Sequence, residues 1–113
     1  MVDPKVIEAV NFFKENIQKK GIRVHDLVLF GSSSTSATSP GSDIDIAVIS
    51  DDFRGMDMIA RTLLTKDAEL DTIRKYRVPL DIITLTPDEY RDQNSIFLRN
   101  VRKGLPVLSA PSV

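Results

Sequence analysis

The sequence predicts an α/β (α+β) fold in which a small mixed β-sheet carries helices packed on one face. Three observations support this prediction. Apolar residues recur at helical spacing near the start, three short apolar runs are typical of strands, and a Thr-Pro-Asp-Glu helix start follows the third run. The predicted order of elements is α-β-β-α-β-α. With 113 residues, we expect a single domain over residues 1–113.

The first helix and the first strand have recognisable boundaries. Asp3 offers a side-chain acceptor at a helix N-terminus, Pro4 suits the first helical position, and Gly21 suits the end of the helix. The apolar positions of this helix are Val6, Val10, Phe13 and Ile17. Residues 27–30 then predict a short apolar strand that leads directly into Gly31.

The middle of the chain predicts a loop, a strand and a helical region. Residues 33–42 are loop-like because they are rich in serine and threonine, residues 43–49 predict the second strand, and residues 53–76 are helical. The apolar positions of the helical region are Met56, Ile59, Leu63, Leu70 and Ile73. The polar patch at residues 65–67 is a candidate break between two helices.

The last third of the chain predicts a strand, a helix and an edge segment. Residues 80–85 form the third strand, and residues 86–89 supply a capping box with proline at the first helical position. The last helix, which ends at Gly104, carries the apolar residues Ile96, Phe97 and Val101. Residues 105–108 predict a short edge segment, where proline is tolerated.

The composition limits the classes of function. With 15 basic and 16 acidic residues the net charge is −1, so we expect no strong general attraction to nucleic acid or to anionic membranes. No apolar run approaches the ~20 residues that span a bilayer, and the first residues lack the pattern of a signal peptide. The absence of cysteine excludes disulfides and thiolate metal sites. We therefore expect a cytoplasmic protein.

The candidate site is a set of three aspartates that follows a Gly-Ser pair. Because side chains alternate along a strand, Asp43 and Asp45 project to one side and their charges repel unless a cation lies between them. Asp81 in the third strand joins them if that strand lies beside the second. Carboxylate oxygens favour Mg²⁺ or Mn²⁺. Together with a phosphate turn at Gly31-Ser32, they predict phosphoryl or nucleotidyl transfer.

Several of these residues have simpler interpretations. Asp43 could cap the turn at Ser42, and Asp81 could be an ordinary acid on an edge strand. His25, the only histidine, is expected to be a surface residue at the entry of the first strand rather than a catalyst.

The pattern as a whole resembles the minimal nucleotidyltransferases of the DNA polymerase β-like superfamily. The resemblance rests on Gly31-Ser32, the ten-residue spacing to Asp43-Ile44-Asp45, and the downstream Asp81, and it extends over nearly the whole chain. It implies the nucleotidyltransferase fold. It also implies that Asp43, Asp45 and Asp81 hold two Mg²⁺ ions, and that Gly31 and Ser32 bind the phosphates of a nucleotide triphosphate, with ATP as the expected substrate.

The resemblance also implies a biological role. Small members of this family commonly pair with a helical partner of the HEPN type, as the antitoxin of a toxin–antitoxin pair, and some transfer AMP to a tyrosine of the toxin. The leading hypothesis is therefore a Mg²⁺-dependent transfer of a nucleoside monophosphate to a hydroxyl on a partner protein. Homo- and hetero-oligomers both remain open.

One departure from the family pattern favours an alternative. Members commonly carry a basic residue followed by glycine shortly after the Gly-Ser pair, whereas this chain has Thr35 and Ser36. Loss of a cation near the phosphates would weaken triphosphate binding. The alternatives are a non-catalytic protein that neutralises or scaffolds a partner by surface contact, and a regulator that binds a nucleotide without transferring it.

Overall fold

The computed structural model describes residues 4–30, 44–92, 101 and 104–106, and the structural statements below refer to these residues. The helices are α1 (Pro4–Lys19), α2 (Met58–Tyr76) and α3 (Pro87–Tyr90), with a 3-10 turn at Asp51–Phe53. The strands are β1 (Asp26–Phe30), β2 (Ile44–Ile49), β3 (Leu80–Leu85) and β4 (Leu105–Pro106). The predicted order α-β-β-α-β-α is confirmed.

The strands form one mixed sheet with the spatial order β3-β2-β1-β4. β1 is antiparallel to β2 and to β4, whereas β2 and β3 are parallel. A parallel pair requires a crossover connection, and α2 supplies it between the ends of β2 and β3. The short edge segment is confirmed at Leu105 and Pro106, while residues 107–108 lie outside the described residues.

The two faces of the sheet bury different clusters of side chains. The larger cluster lies between α1, α2 and the sheet, and its members from the strands are Leu27, Leu29, Ile44, Ile46, Val48 and Leu80. The smaller cluster covers the opposite face and comprises Val28, Phe30, Ala47, Ile49 and Val101, with Ile83, Leu85 and Tyr90 packed against it. The two long helices therefore share one face, as predicted.

The first helix agrees with the sequence in its boundaries and its buried side. It begins at Pro4 and ends at Lys19, and Gly21 follows with a φ of 93°, a left-handed conformation that glycine adopts without strain. All four predicted apolar positions are buried. The expected capping residue Asp3 lies outside the described residues.

The second helix differs from the prediction in three ways. It begins at Met58 rather than residue 53, with the side chain of Asp57 accepting the amide of Ala60 at 2.8 Å. The candidate break at residues 65–67 is wrong, because the helix is continuous and the Thr65 hydroxyl bonds to the carbonyl of Thr62. The predicted apolar positions at 59, 63 and 70 are exposed, whereas Ile73 packs against the larger cluster as predicted. The buried positions are instead Arg61, Thr65, Ala68 and Thr72.

The third strand and the helix start after it are confirmed. Thr86 and Glu89 form the predicted capping box, in which each side chain bonds to the other residue's amide. Val101, predicted for the last helix, is buried in the smaller cluster, whereas Ile96 and Phe97 lie outside the described residues. Among the described helices, none combines the length and the apolar character needed to cross a membrane.

A buried arginine joins α2 to the end of β3. Arg61, whose side chain is 8% exposed, donates to the carboxylate of Glu89 at 2.8 Å and to the carbonyls of Met56 and Thr84. Burial raises the pKa of Glu89, but hydrogen bonds from Arg61 and from the Thr86 amide outweigh it and hold that pKa below its usual value. The contacts fix the position of β3 relative to α2.

We expect Arg61→Ala to lower the free energy of unfolding by about 2–3 kcal/mol, because it removes the donor from a largely buried network. Glu89→Gln should cost less than Arg61→Ala, because glutamine keeps an acceptor in the capping box while removing only the negative charge opposite Arg61. Urea denaturation of both variants measures the difference. Equal losses would show that the charge of Glu89, rather than the arginine's hydrogen bonds, carries the stabilisation.

Close contact between β4 and β1 depends on Gly104. A Cβ at this position would overlap the carbonyl oxygen of Leu29 and lie 2.9 Å from the Cγ1 of Val28. We therefore expect Gly104→Ala to destabilise the protein by about 1–3 kcal/mol, by forcing β4 away from β1. Hydrogen exchange should show faster exchange at β1 amides that face β4. Unchanged protection there and an unchanged melting temperature would contradict this assignment.

Candidate functional site

The structure brings Asp45 and Asp81 together at one end of the parallel pair. β2 and β3 are in a register that places Asp45 directly opposite Asp81, between the pairs Ile44–Leu80 and Ile46–Ile82. Neighbouring strands lie about 4.8 Å apart, so the two carboxylates are close neighbours. From the sequence, this adjacency was predicted only if the third strand lies beside the second, because no local feature determines which strands pair.

Both aspartates lie on the face of the sheet opposite α1 and α2. Ala47 follows Asp45 by two residues, Ile83 follows Asp81 by two, and both belong to the smaller cluster on that face. Ile44 and Ile46, on either side of Asp45, belong instead to the larger cluster under the helices. The alternation of the strands therefore directs both carboxylates to the same side, away from the helices.

Asp45 and Asp81, which we call the acid pair, place two carboxylates at directly opposite positions of neighbouring strands. Asp45 is half-buried and Asp81 is exposed. Like charges directly opposite each other on neighbouring strands are destabilising, by up to about 1 kcal/mol. Two adjacent carboxylates are hard oxygen donors, the kind that Mg²⁺ and Mn²⁺ prefer. Within residues 4–30, 44–92, 101 and 104–106, no three acidic or histidine side chains are grouped closely enough to hold a metal ion.

A further acid near the pair was missed from the sequence. Glu69 on α2 is half-buried, and its pKa is raised, first by burial and second by the negative charge of Asp81. Lys66 opposes this shift. Glu69 gives no sequence signal, because it is one of several charged residues on an ordinary helix and only the crossover of α2 brings it near β3.

Several predicted site residues lie outside the described residues. These are Gly31, Ser32 and Asp43, together with the departures from the family pattern at Thr35 and Ser36. The described residues that flank residues 31–43, Phe30 and Ile44, both lie next to the acid pair. Phe30, the last residue of β1, pairs with Asp45, and Ile44, the first of β2, donates its amide to the carbonyl of Pro79 at 2.9 Å.

His25 lies at the other end of the sheet, as a surface residue before β1. Its Nε2 is 3.0 Å from a carboxylate oxygen of Asp51, and its amide donates to the carbonyl of Ile49. The pKa of Asp51 is lowered, chiefly by a hydrogen bond from Arg54 and in part by His25. Since Ile49 ends the strand that carries Asp45 near its start, His25 is remote from the acid pair.

Comparison with known proteins gives a family match. The family model described as a nucleotidyltransferase domain matches residues 7–103, which include both aspartates of the pair and all the strands but β4. No curated protein matches the chain at a significant level.

Solved structures share the fold at low sequence identity. A protein from Sulfolobus solfataricus proposed to be a nucleotidyltransferase is 18% identical with a TM-score of 0.59, over 92% of this chain and 86% of its own. A toxin–antitoxin structure with AMP-PNP is 22% identical with a TM-score of 0.58, over 84% and 69%. BolA1 from Arabidopsis thaliana is 21% identical with a TM-score of 0.54, over 72% and 94%. At these identities, the similarity concerns the fold alone.

We expect Asp81→Asn to stabilise the metal-free protein by about 0.5 kcal/mol at neutral pH and low salt, because it removes repulsion with Asp45 and Glu69. Because the pKa of Glu69 is raised in the folded state, ionisation of Glu69 lowers the stability of the protein as the pH rises through its titration. The stabilisation by Asp81→Asn should therefore be smaller in acid, where Glu69 is protonated. Thermal unfolding from pH 3 to pH 8 measures this.

Glu8→Gln is the matched control, because it removes one negative charge from an exposed position of α1. It should change stability little over the same pH range. If Asp81→Asn stabilises the protein no more than Glu8→Gln does at neutral pH, Asp45 and Asp81 do not repel each other in solution.

Proposed function

Because the chain belongs to the nucleotidyltransferase domain family, we propose that it transfers a nucleoside monophosphate from a nucleotide triphosphate to a hydroxyl acceptor. The observation that carries the proposal is the register that sets Asp45 opposite Asp81, on the face of the sheet opposite α1 and α2. A site of this chemistry needs few protein groups, because nucleotidyl transfer depends mainly on positioning and on neutralising charge. Two adjacent carboxylates supply the negative charge that would bind the metal ions of such a site.

The proposed roles of the residues follow from their chemistry. Asp43, Asp45 and Asp81 would hold Mg²⁺ or Mn²⁺, which when bound neutralises phosphate charge and polarises the reacting oxygens. Gly31 would let the backbone approach the phosphates, since a Cβ would block it, and Ser32 would donate a hydrogen bond to a phosphate oxygen. The half-buried position of Asp45 suits a fixed ligand, whereas the exposed position of Asp81 suits contact with an acceptor from outside.

In the proposed reaction, the acceptor oxygen attacks the α-phosphorus and the bond from that phosphorus to the bridging oxygen of pyrophosphate breaks. The acceptor hydroxyl loses its proton to a carboxylate oxygen of Asp81, and pyrophosphate leaves with the bonding electrons. The balance is one phosphodiester bond formed and one phosphoanhydride bond broken. Asp81 is the proposed base because it is the more accessible of the two described acids.

We infer further that the acceptor belongs to a partner protein and that the nucleotide is ATP. One structure with this fold is a toxin–antitoxin complex with AMP-PNP, and AMP-PNP is an ATP analogue. The role that fits is the antitoxin of a toxin–antitoxin pair in the cytoplasm, with a small helical protein of the HEPN type as the partner that receives AMP.

A second candidate function is surface neutralisation of the same partner without transfer. It is favoured by the uncharged residues Thr35 and Ser36, where family members commonly carry a basic residue and a glycine. The two functions differ in one observable: surface neutralisation does not depend on the acid pair. An Asp45→Asn protein that is folded and still suppresses the partner's toxicity would support the second candidate.

We expect the protein, incubated with α-labelled ATP, Mg²⁺ and the product of the adjacent gene, to label that product and to release pyrophosphate. Asp45→Asn and Asp81→Asn should each lower the rate at least about a hundredfold, because each removes charge that positions the reacting groups. Chelation of the metal should abolish labelling. Glu8→Gln should retain the full rate.

Thermal unfolding in the same buffers separates loss of chemistry from loss of the fold. Mg²⁺ should raise the melting temperature of the unmodified protein at low salt, because a cation that binds only the folded state stabilises it. The rise should disappear in Asp45→Asn. Labelling that is equal in the acid variants and the unmodified protein, or absent in all of them, would overturn the enzymatic proposal.

A further inference from the structure

The turn between α2 and β3 holds an arginine in a backbone conformation that normally belongs to glycine. Arg77 follows the last residue of α2 with a φ of 56° and a ψ of 37°, in the left-handed region, and donates its amide to the carbonyl of Ile73 at 2.7 Å. Among the residues that the structure describes, every other positive φ belongs to a glycine. A Cβ makes this conformation unfavourable, so glycine or asparagine is the usual residue at such a helix end.

The sequence explains the turn at this position but not the arginine. Val78 precedes Pro79, which restricts Val78 to an extended conformation, so the chain must change direction at position 77. Glycine would meet that requirement at the lowest energetic cost. A cation at the end of a helix complements the helix dipole, but Arg74 and Lys75 already supply two positive charges in the last turn of α2.

The charge of Arg77 is not used by the described part of the protein, unlike that of its neighbours. Arg74 lies 3.6 Å from a carboxylate oxygen of Asp71, and the ammonium group of Lys75 lies 4.5 Å from the centre of the Phe12 ring. Arg77 is exposed and forms no ion pair with any residue that the structure describes. Its guanidinium group can therefore bind a ligand, and its planar set of donors suits the oxygens of a phosphate.

The turn lies at the end of the sheet that carries the acid pair. Asp81 follows Arg77 by four residues, so the Cα atoms of the two residues are at most about 14 Å apart. The carbonyl of Pro79 accepts the amide of Ile44 at 2.9 Å. The turn is therefore also close to the point where residues 31–43, which contain the proposed phosphate-binding residues, join β2.

We propose that Arg77 binds the β- or γ-phosphate of the nucleotide triphosphate and supplies the positive charge that this chain lacks at Thr35. The inference rests on the proposed function, because the triphosphate is held with its reacting end at the acid pair. The β- and γ-phosphates leave as pyrophosphate, and an arginine beside them neutralises the negative charge that develops there. This role accounts for an arginine at a position where glycine costs less.

Arg77→Gly separates a phosphate-binding role from a purely structural one. It should raise the melting temperature by about 2–4 °C, because glycine adopts the left-handed conformation without strain. It should also raise the dissociation constant for α,β-methylene-ATP with Mg²⁺ about tenfold, because it removes a charge-assisted hydrogen bond. Isothermal titration calorimetry measures this binding without turnover, since the analogue cannot be cleaved at the bond that transfer breaks. AMP has neither phosphate and should bind both proteins equally.

Two further variants control for charge and for the shape of the side chain. Arg74→Ala removes one exposed positive charge from the same end of α2 and should change the dissociation constant of the analogue less than about twofold. Arg77→Lys keeps the charge but loses the planar set of donors. Its dissociation constant should lie between those of the unmodified protein and of Arg77→Gly.

The possible results distinguish this inference from the proposed function. Equal effects of Arg77→Gly and Arg74→Ala, equal weakening of AMP and the analogue, or weaker binding together with a lower melting temperature would overturn the role of Arg77 alone. Binding that depends on Arg77, without any transfer by the unmodified protein, would overturn the proposed transfer and leave this inference intact. No binding of the analogue to the unmodified protein would overturn both.

Discussion

The parallel pairing of β2 with β3 is the constraint on which the rest of this structure depends. It requires a crossover, which α2 provides, and it fixes a register in which Asp45 is opposite Asp81. A shift of one residue would turn Asp81 to the helical face and bury its charge beneath α2. Ile44 and Ile46 of β2 and Leu80 and Ile82 of β3 oppose that shift, because all four pack in the larger cluster on the other face of the sheet. The apolar core thus holds two repelling charges side by side.

Two structural requirements explain which residues of the crossover helix α2 face the core. Its inward side must fit closely against α1 and the sheet, and small or hydrogen-bonded residues such as Ala68 and Thr72 meet that demand. It must also anchor the end of β3, which Arg61 does through Glu89 and the carbonyl of Thr84. A buried arginine is tolerated here because its hydrogen bonds are satisfied within the protein. The apolar residues of α2 are therefore divided between its two sides, with Leu64, Ile73 and Tyr76 packed against the larger cluster and Ile59 and Leu63 exposed.

The fold by itself leaves the chemistry open. Similar folds occur in a toxin–antitoxin complex and in BolA1, and folds of this size host unrelated functions. The family match limits the chemistry to that of nucleotidyltransferase domains, and the acid pair is the location that we propose for it. The acid pair lies on the face of the sheet opposite α2, so it is separate from the exposed apolar residues Ile59 and Leu63 of that helix.

The sequence alone determined the elements whose signals are local. The capping box at Thr86 and the glycine after α1 were predicted correctly, because a cap or a turn depends on a few neighbouring residues. The same is true of the alternation that directs Asp45 away from Ile44 and Ile46. The class of chemistry also came from the sequence, through the spacing of the Gly-Ser pair and the aspartates.

Only the tertiary structure decided which strands are neighbours and which side of α2 faces inward. Strand adjacency depends on contacts between residues far apart in the chain, so the meeting of Asp81 with Asp45 and the approach of Glu69 to Asp81 have no local signal. Periodicity predicted apolar positions in α2 but could not tell which of them face the core. Ile73 packs against the larger cluster, whereas Ile59 and Leu63 are exposed. The inward position of Arg61 also has no local signal, because two of its hydrogen-bond partners, Thr84 and Glu89, are in other elements of the fold.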